Sequence, residues 1–461
     1  MTTAVSGRAT ATPAAILGII LASYFMVLLD NSVIFTGLPS IRSGLDLSPA
    51  ALSWVQDAYT LVFGGLLLLA ARAGDIVGRR RLFRIGLAIF GTASAGWWMI
   101  AARAVQGIGA AIVAPTSLAL ITTYFDGEAR NKAVAWYAAT AGIGASLGLL
   151  VGGALTEWIS WRAAFLVNVP IAVALIVWSS TVLTETPRRT GRFDVIGALG
   201  ATLGMGAVIF GIIESAEAGW GSARVQIALA LGAVLLIGLV VHEGRVQQPI
   251  LPLRLFRSRE RSGAYTARLL YLGAMIGFFY FTTQLLQDVF SFSPLQAGLG
   301  FLPMTLVNFV VALMVPRLSA RLSNGTLLAT GTALTLAGMA WLSRIDPLDT
   351  YLVDVALPMV LVGAGQGLAF GLLTNAGIAG VDSADAGAAS GLVNTAHQLG
   401  MALGLGVLVA LAADAGANLD GPAAVTEHVG AALTGGTVLL ALALVVVLTV
   451  IVPAARHRPV A

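Results

Sequence analysis

Residues 71–84 read AARAGDIVGRRRLF, and they separate two apolar runs that are each long enough to approach the thickness of a bilayer. Gly74, Asp75 and Gly78 read as a tight acidic turn, and Arg79, Arg80, Arg81 and Arg84 follow at once. Arginines clustered beside a hydrophobic span mark a cytoplasmic loop. The stretch therefore implies a chain that crosses a membrane, with this turn on the inner side.

Composition agrees. The chain has 461 residues, 57% hydrophobic and 10% charged, with mean hydropathy +0.89. Soluble domains carry about 25% charged residues. The 26 Lys and Arg lie mostly in short loops, so the net charge of +4 is not a nucleic-acid signal. With no cysteine there is no disulfide or thiol metal site to place. No His, Cys or carboxylate cluster has metal-ligand spacing, and no GxxxxGK[ST] motif is present to use ATP. The run from Ala14 to Leu38 is too long for a signal-peptide core and reads as a retained first span.

A span needs roughly 20 apolar residues at about 1.5 Å each. That ruler gives about fourteen spans, near 14–38, 51–71, 82–96, 97–125, 132–156, 161–183, 195–215, 225–241, 265–287, 295–316, 325–343, 351–378, 387–412 and 431–453. With both termini cytoplasmic, 21 Lys and Arg fall in inner loops and tails. Only Arg42, Arg162, Arg224 and Arg344 fall outside, and Arg103 lies within a span. The third span is expected to be short, because Leu82 to Phe125 must hold two spans and a turn. Residues 242–268 are basic and proline-punctuated. They read as a cytoplasmic connection with an amphipathic piece lying on the membrane surface.

The chain repeats itself. Val105-Gln106-Gly107-Ile108-Gly109 returns as Gly365-Gln366-Gly367-Leu368-Ala369, and Pro316 to Arg321 is a worn echo of the opening loop. Two homologous halves follow. They are read as a six-helix bundle in 1–190, two inserted helices in 191–245, a connection in 246–264 and a second six-helix bundle in 265–461.

Three constellations could carry chemistry. Asp30 lies deep in the first span, in LDNSVIFTGLPSI. An ionisable group at bilayer depth is a functional candidate by default; the alternative is a structural carboxylate held by a neighbouring helix. Arg103, in ARAVQGIGA, stays charged and must face a partner, a wet cavity or the membrane edge. Gly144, Gly148 and Gly152 recur every four residues beside Gly153, a spacing that lets two helices approach closely.

These segments resemble the fourteen-span drug:proton antiporter family of the major facilitator superfamily. The opening loop is similar to Gly-x-Leu-x-Asp-x-x-Gly-Arg-Arg through Asp75, Gly78, Arg79 and Arg80, with Ala71 and Ala73 departing from it. LDNSVIFTGLPSI resembles the family's first-span signature. Arg103, Gln106, Gly107, Gly109 and Ala110 match Arg-x-x-Gln-Gly-x-Gly-Ala. The glycine stripe matches Gly-x-x-x-Gly-Pro-x-x-Gly-Gly, except that Leu149 replaces the Pro.

The resemblance implies an all-α major facilitator fold around a central cavity. It implies proton-coupled efflux of lipophilic drugs or antibiotics across the cytoplasmic membrane, with no catalytic residues and no cofactor. Asp30 and Arg103 would couple protons, and Asp75, Gly78, Arg79, Arg80 and Arg81 would latch the cytoplasmic face. Candidate cavity residues are Asn31, Asp57, Gln106, Gln284, Gln287, Asn308, Asn394 and His397. Asp57, Glu157, Glu214 and Asp288 are expected near outer span ends, mostly wetted. Partners would be a small lipophilic molecule, protons and lipid, with no nucleic acid, and the chain would be a monomer. With one Asp and one Arg as the buried set, lipophilic neutral or monocationic substrates are expected. A proton-coupled importer and a non-transporting membrane sensor remain as alternatives.

Overall fold

The computed structural model describes residues 12–77, 79–92, 99–183, 194–246, 249–348, 350–381 and 385–456. Among them the chain is helical throughout, in the order α1 (Pro13–Leu45), α2 (Pro49–Val77), α3 (Arg79–Thr92), α4 (Met99–Tyr124), α5 (Gly127–Trp158), α6 (Trp161–Leu166), α7 (Asn168–Val182), α8 (Val195–Ala218) and α9 (Ala223–Glu243). A short 3-10 turn (Leu253–Arg257) leads into α10 (Arg259–Gln284). There follow α11 (Pro294–Gly300), α12 (Leu302–Ser319), α13 (Asn324–Leu342), α14 (Leu357–Gly377), α15 (Ala386–Ala412), α16 (Gly421–Val446) and α17 (Val452–Arg456).

Helix starts obey local chemistry. Thr12 caps α1 ahead of Pro13, and Ser293 with Gln296 forms a capping box on α11. Lateral surfaces are apolar. Ile227, Leu231, Val234 and Ile237 of α9 are all more than half or about two-thirds exposed, as lipid-facing side chains would be.

Among the described residues twelve helical segments are long and apolar enough to cross a membrane, two fewer than the sequence count. The shortfall lies in α3 and α5. The 14 residues of α3 extend about 21 Å against a hydrocarbon core of ~30 Å. Of α5, Leu147–Trp158 forms a shorter apolar helix. α3 falls where the sequence expected a short third span, and residues 93–98 after it lie outside the described residues. The acidic turn is not where the sequence placed it: α2 continues to Val77, so Gly74 and Asp75 end a helix instead of forming a turn.

The internal repeat appears as repeated packing. A Cβ on Gly107 of α4 would meet the Tyr59 carbonyl of α2 at 2.7 Å, and one on Gly367 of α14 would meet the Asn308 carbonyl of α12 at 2.7 Å. In each half the glycine of a Gln-Gly pair lets two helices touch at backbone distance. A second pairing also recurs. Gly148 of α5 packs on α1, and Gly400 of α15 packs on Leu269 of α10.

The halves meet at the end that carries the α1–α2 turn. Gln287 Nε2 donates to the Thr36 carbonyl at 2.9 Å. Glu157 accepts from Ser293 Oγ and from the Leu295 amide. Glycines 153 and 298 bring α5 and α11 into backbone contact. Along one side α15 packs on α2, and α8 covers that seam through Ile209 and Ile213. Trp54 of α2 tilts against Phe210 of α8.

The 242–268 connection differs from its expectation. Leu255 is 2% exposed and packs with Tyr265, Leu392 and Val393, so this piece docks on the bundle. Ser258 caps α10, which therefore begins at Arg259, six residues before the expected span start.

Candidate functional site

Four helices converge on Asp30. Its Oδ2 lies 2.6 Å from Arg103 Nη1, and neither side chain is exposed. Its Oδ1 accepts from Gln106 Nε2 at 3.2 Å and from Asn168 Nδ2 at 2.6 Å. Arg103 Nε donates to the Val55 carbonyl at 3.0 Å, and Nη1 also reaches Gln106 Oε1 at 3.1 Å. The guanidinium sits over the Tyr59 ring, 4.3 Å from its centroid.

The cluster joins α1, α2, α4 and α7, all from one half. It settles one question left by the sequence: Arg103 points inward and does not reach for the membrane edge. The pair is neutral as a unit, and most of its polar atoms are satisfied, as burial demands. Arg103 Nη2 and Asn168 Oδ1 are buried without partners. A proton arriving at Asp30 must therefore compete with the guanidinium, and would leave that cation without its counter-charge. Asn168 was not among the sequence candidates. One amide inside the apolar run 161–183 was its only signal.

The other candidates scatter. Asn31 Oδ1 accepts from Gln56 Nε2 at 3.1 Å, next to the cluster. Asp57 is 0% exposed and both of its oxygens lack a partner, so the expectation of a wetted outer-end carboxylate is corrected. Gln287 bridges the halves. Gln284 donates to the Tyr280 carbonyl of its own helix. Asn394 is exposed and bonds the Ser390 carbonyl one turn back. Asn308 is half-buried where α12 crosses α14.

His397 is drawn to a residue that the sequence had assigned to a loop. Arg268 is 3% exposed, nine residues inside α10, and one of its Nη2 hydrogens points at His397 Nδ1 over 3.1 Å. The buried ionisable residues thus include Asp57 and Arg268 as well as the Asp30–Arg103 pair. The inventory of one Asp and one Arg is therefore corrected.

The glycine stripe faces α1. Cβ atoms on Gly144 and Gly148 would lie 2.9 Å from Leu28 Cβ and 2.6 Å from Ser32 Cβ, and one on Gly152 would collide with the Val33 carbonyl. Gly153 turns the other way, toward Pro294.

In the basic loop, Arg79 donates to the Ala119 carbonyl at 2.8 Å and to Thr123 Oγ1. Arg80 donates to the Ser180 carbonyl at 2.7 Å. These bonds hold α3 to α4 and α7 within one half. Arg81 is exposed. Gly78 and the side chain of Asp75 lie outside the described residues.

Comparison with known proteins places this architecture. Residues 20–405 match the model of the Major Facilitator Superfamily. The chain is 40% identical to the cephamycin export protein of Amycolatopsis lactamdurans, over 98% of this chain and 96% of that one. It is 38% identical to the puromycin resistance protein of Streptomyces alboniger, over 93% and 88%. It is 32% identical to the multidrug efflux pump LfrA of Mycolicibacterium smegmatis, over 90% and 84%. Among solved structures, a POT family transporter in complex with a thioalcohol-conjugated peptide aligns with TM-score 0.67 at 13% identity, covering 94% of this chain and 95% of that one. A bacterial homolog of the human lysosomal transporter Spinster, inward-facing and unoccupied, aligns with TM-score 0.66 at 16% identity, over 97% and 98%. By sequence and by fold, this multi-pass membrane protein belongs to the major facilitator superfamily.

Proposed function

We propose that the chain exports lipophilic small molecules across the cytoplasmic membrane in exchange for protons. The observation that carries the reading is the buried Asp30–Arg103 pair, a titratable carboxylate held at membrane depth at the crossing of four helices. Relatives named for cephamycin export, puromycin resistance and multidrug efflux support the direction and the kind of cargo.

In this reading the α1–α2 end faces outward and both termini are cytoplasmic. The short α3 and the helix α5 complete fourteen spans, as two six-helix halves with α8 and α9 inserted between them. The protein works as a monomer and needs no cofactor.

The cycle follows from charge. A proton from outside adds to an Asp30 oxygen and cancels the carboxylate that holds Arg103. The guanidinium keeps its bond to the Val55 carbonyl but loses its counter-charge, so α1 and α4 repack. Thr36 lies six residues beyond Asp30 on α1, about 9 Å along the helix. It is bonded to Gln287 of the other half. A shift of α1 therefore acts directly on the contact that closes the outer end. The halves then rock, the proton leaves on the inner side, and cargo loads for the return.

Everted vesicles test the reading. With the chain present, an imposed proton gradient should drive a lipophilic dye into the vesicle lumen, and a protonophore should abolish the uptake. Dye movement in the opposite sense, collapsing with the protonophore, would make the protein an importer.

A further inference from the structure

The half formed by α10 to α17 buries a cation of its own. Arg268 Nη1 donates to Thr374 Oγ1 at 2.7 Å and to the Phe370 carbonyl at 3.4 Å. Its Nη2 donates to His397 Nδ1 at 3.1 Å, and the guanidinium lies 4.5 Å from the Phe370 ring centroid. A guanidinium only donates. His397 Nδ1 must therefore accept, which puts the ring proton on Nε2 and leaves that N–H as a further donor.

Every one of these partners is neutral. Among the described residues no carboxylate lies within ion-pair distance of Arg268, whereas Arg103 has Asp30. Asp57 does not serve. Both of its oxygens are buried without a partner. Arg268 Nε is buried with no acceptor at all. A buried charge without a counter-charge is strongly unfavourable, and carbonyl and imidazole dipoles offset only part of that.

The surroundings are aromatic and span both halves. α10, which carries Arg268, packs against α1, which carries Tyr24. Tyr24 stacks on Tyr137 of α5 with ring centroids 3.9 Å apart. Phe370 packs edge-on to His397.

We propose that Arg268, with His397 and Thr374, is an anion-binding subsite in the seam between the halves, and that it takes the carboxylate of an apolar, ring-bearing organic acid. Nε has no acceptor, and the edge made by Nε and Nη2 is the one that meets a carboxylate in the Arg254–Asp385 pair. Phe370, Tyr24 and Tyr137 supply apolar walls for the rest of the molecule. The inference rests on the exporter reading and names an anionic cargo class, where neutral or monocationic substrates were expected from sequence.

Pyrene-1-butyrate and its methyl ester form a matched pair of probes that differ in the anion alone. Binding is measured by equilibrium dialysis against the full chain in phosphatidylcholine nanodiscs, with empty nanodiscs subtracted. Wild type should bind the acid about tenfold tighter than the ester, and Arg268→Gln should bind both alike. Arg268→Lys keeps the charge without the fork and should retain part of the preference. It carries the test if the Gln variant does not elute as folded protein. Equal binding of acid and ester by wild type, or an intact acid preference in Arg268→Gln or Arg268→Lys, overturns the subsite. Adding phosphatidylglycerol to the nanodiscs should leave acid binding unchanged. Its loss there would assign the site to a lipid headgroup and overturn the cargo proposal. Proton-driven dye transport in everted vesicles is scored separately, so its absence in wild type would sink the exporter reading and not the binding result.

Discussion

Arg103 Nη1 lies 2.6 Å from Asp30 Oδ2 with both side chains fully buried, on helices that start and end far apart in sequence. Removing one member of such a pair leaves the other as an uncompensated buried charge, which costs about 3–5 kcal/mol. Replacing both with neutral residues avoids most of that cost.

Asp30→Asn should therefore abolish proton-driven efflux and also lower the thermal unfolding temperature in detergent. Asn retains the shape and can still accept from Asn168, but it cannot cycle a proton. The double variant Asp30→Asn, Arg103→Gln should recover much of the unfolding temperature while transport stays absent. Full transport by Asp30→Asn at a fixed gradient would remove Asp30 from proton coupling.

The glycine stripe gives a packing test with an internal control. A side chain at Gly148 would start 2.6 Å from Ser32 Cβ and 3.0 Å from the Leu29 carbonyl, so α5 must move off α1. Gly238 of α9 has nothing within 4 Å of the same position. Gly148→Leu should lose efflux and unfold at lower temperature, whereas Gly238→Leu should export at the wild-type rate. Equal behaviour of the two variants would show that the α1–α5 contact is dispensable.

The fold was legible in the sequence where charge interrupts an apolar run. Asp30 and Arg103 stood out for that reason, and the glycine spacing pointed to one helix face. What escaped notice was masked by context. Arg268 follows Arg254, Arg257, Arg259 and Arg261, so it looked like the end of a basic loop. The Ser258 cap in fact starts a helix at Arg259 and carries Arg268 into the core. Asp57 was expected to be wetted because it lies near a span end; it is buried together with Ser53, Gln56 and Thr60. Asn168 was a lone amide without a pattern. Polar partners chosen across helices leave no periodic trace in one chain.

Arg254 and Asp385 join the 3-10 turn to the start of α15, with Nε to Oδ2 at 2.8 Å. The guanidinium hydrogen bonds hold the Asp385 carboxyl below its usual range. A depressed carboxyl stabilises the fold above its unfolded pKa of about 3.9, and loses that effect as pH falls through its lower folded value. Arg254 is more than half exposed, so the pair is worth about 1 kcal/mol at most. Asp385→Asn should lower the unfolding temperature slightly at pH 7, and the difference from wild type should vanish near the acid end. A difference that persists below the folded value would mean that the ion pair is not its source.

The closure at the α1–α2 end, which faces outward in the proposed cycle, can be opened from one side chain. Glu157 accepts from Ser293 Oγ and, at 3.0 Å, from the Leu295 amide, tying α5 to α11. Glu157→Ala removes both bonds, each worth about 1 kcal/mol net. A change of one or two kcal/mol shifts a two-state equilibrium by about five- to thirtyfold. The chain has no cysteine, so a single probe can be introduced without background. Gln284, the last residue of α10, three residues before Gln287 and 6% exposed, is a suitable place. In whole cells, a membrane-impermeant maleimide should label Gln284→Cys slowly, and adding Glu157→Ala should raise the rate by about the factor above. An unchanged rate would mean that the outer end is held by the Thr36–Gln287 bond and the glycine contacts alone, with Glu157 contributing nothing to closure.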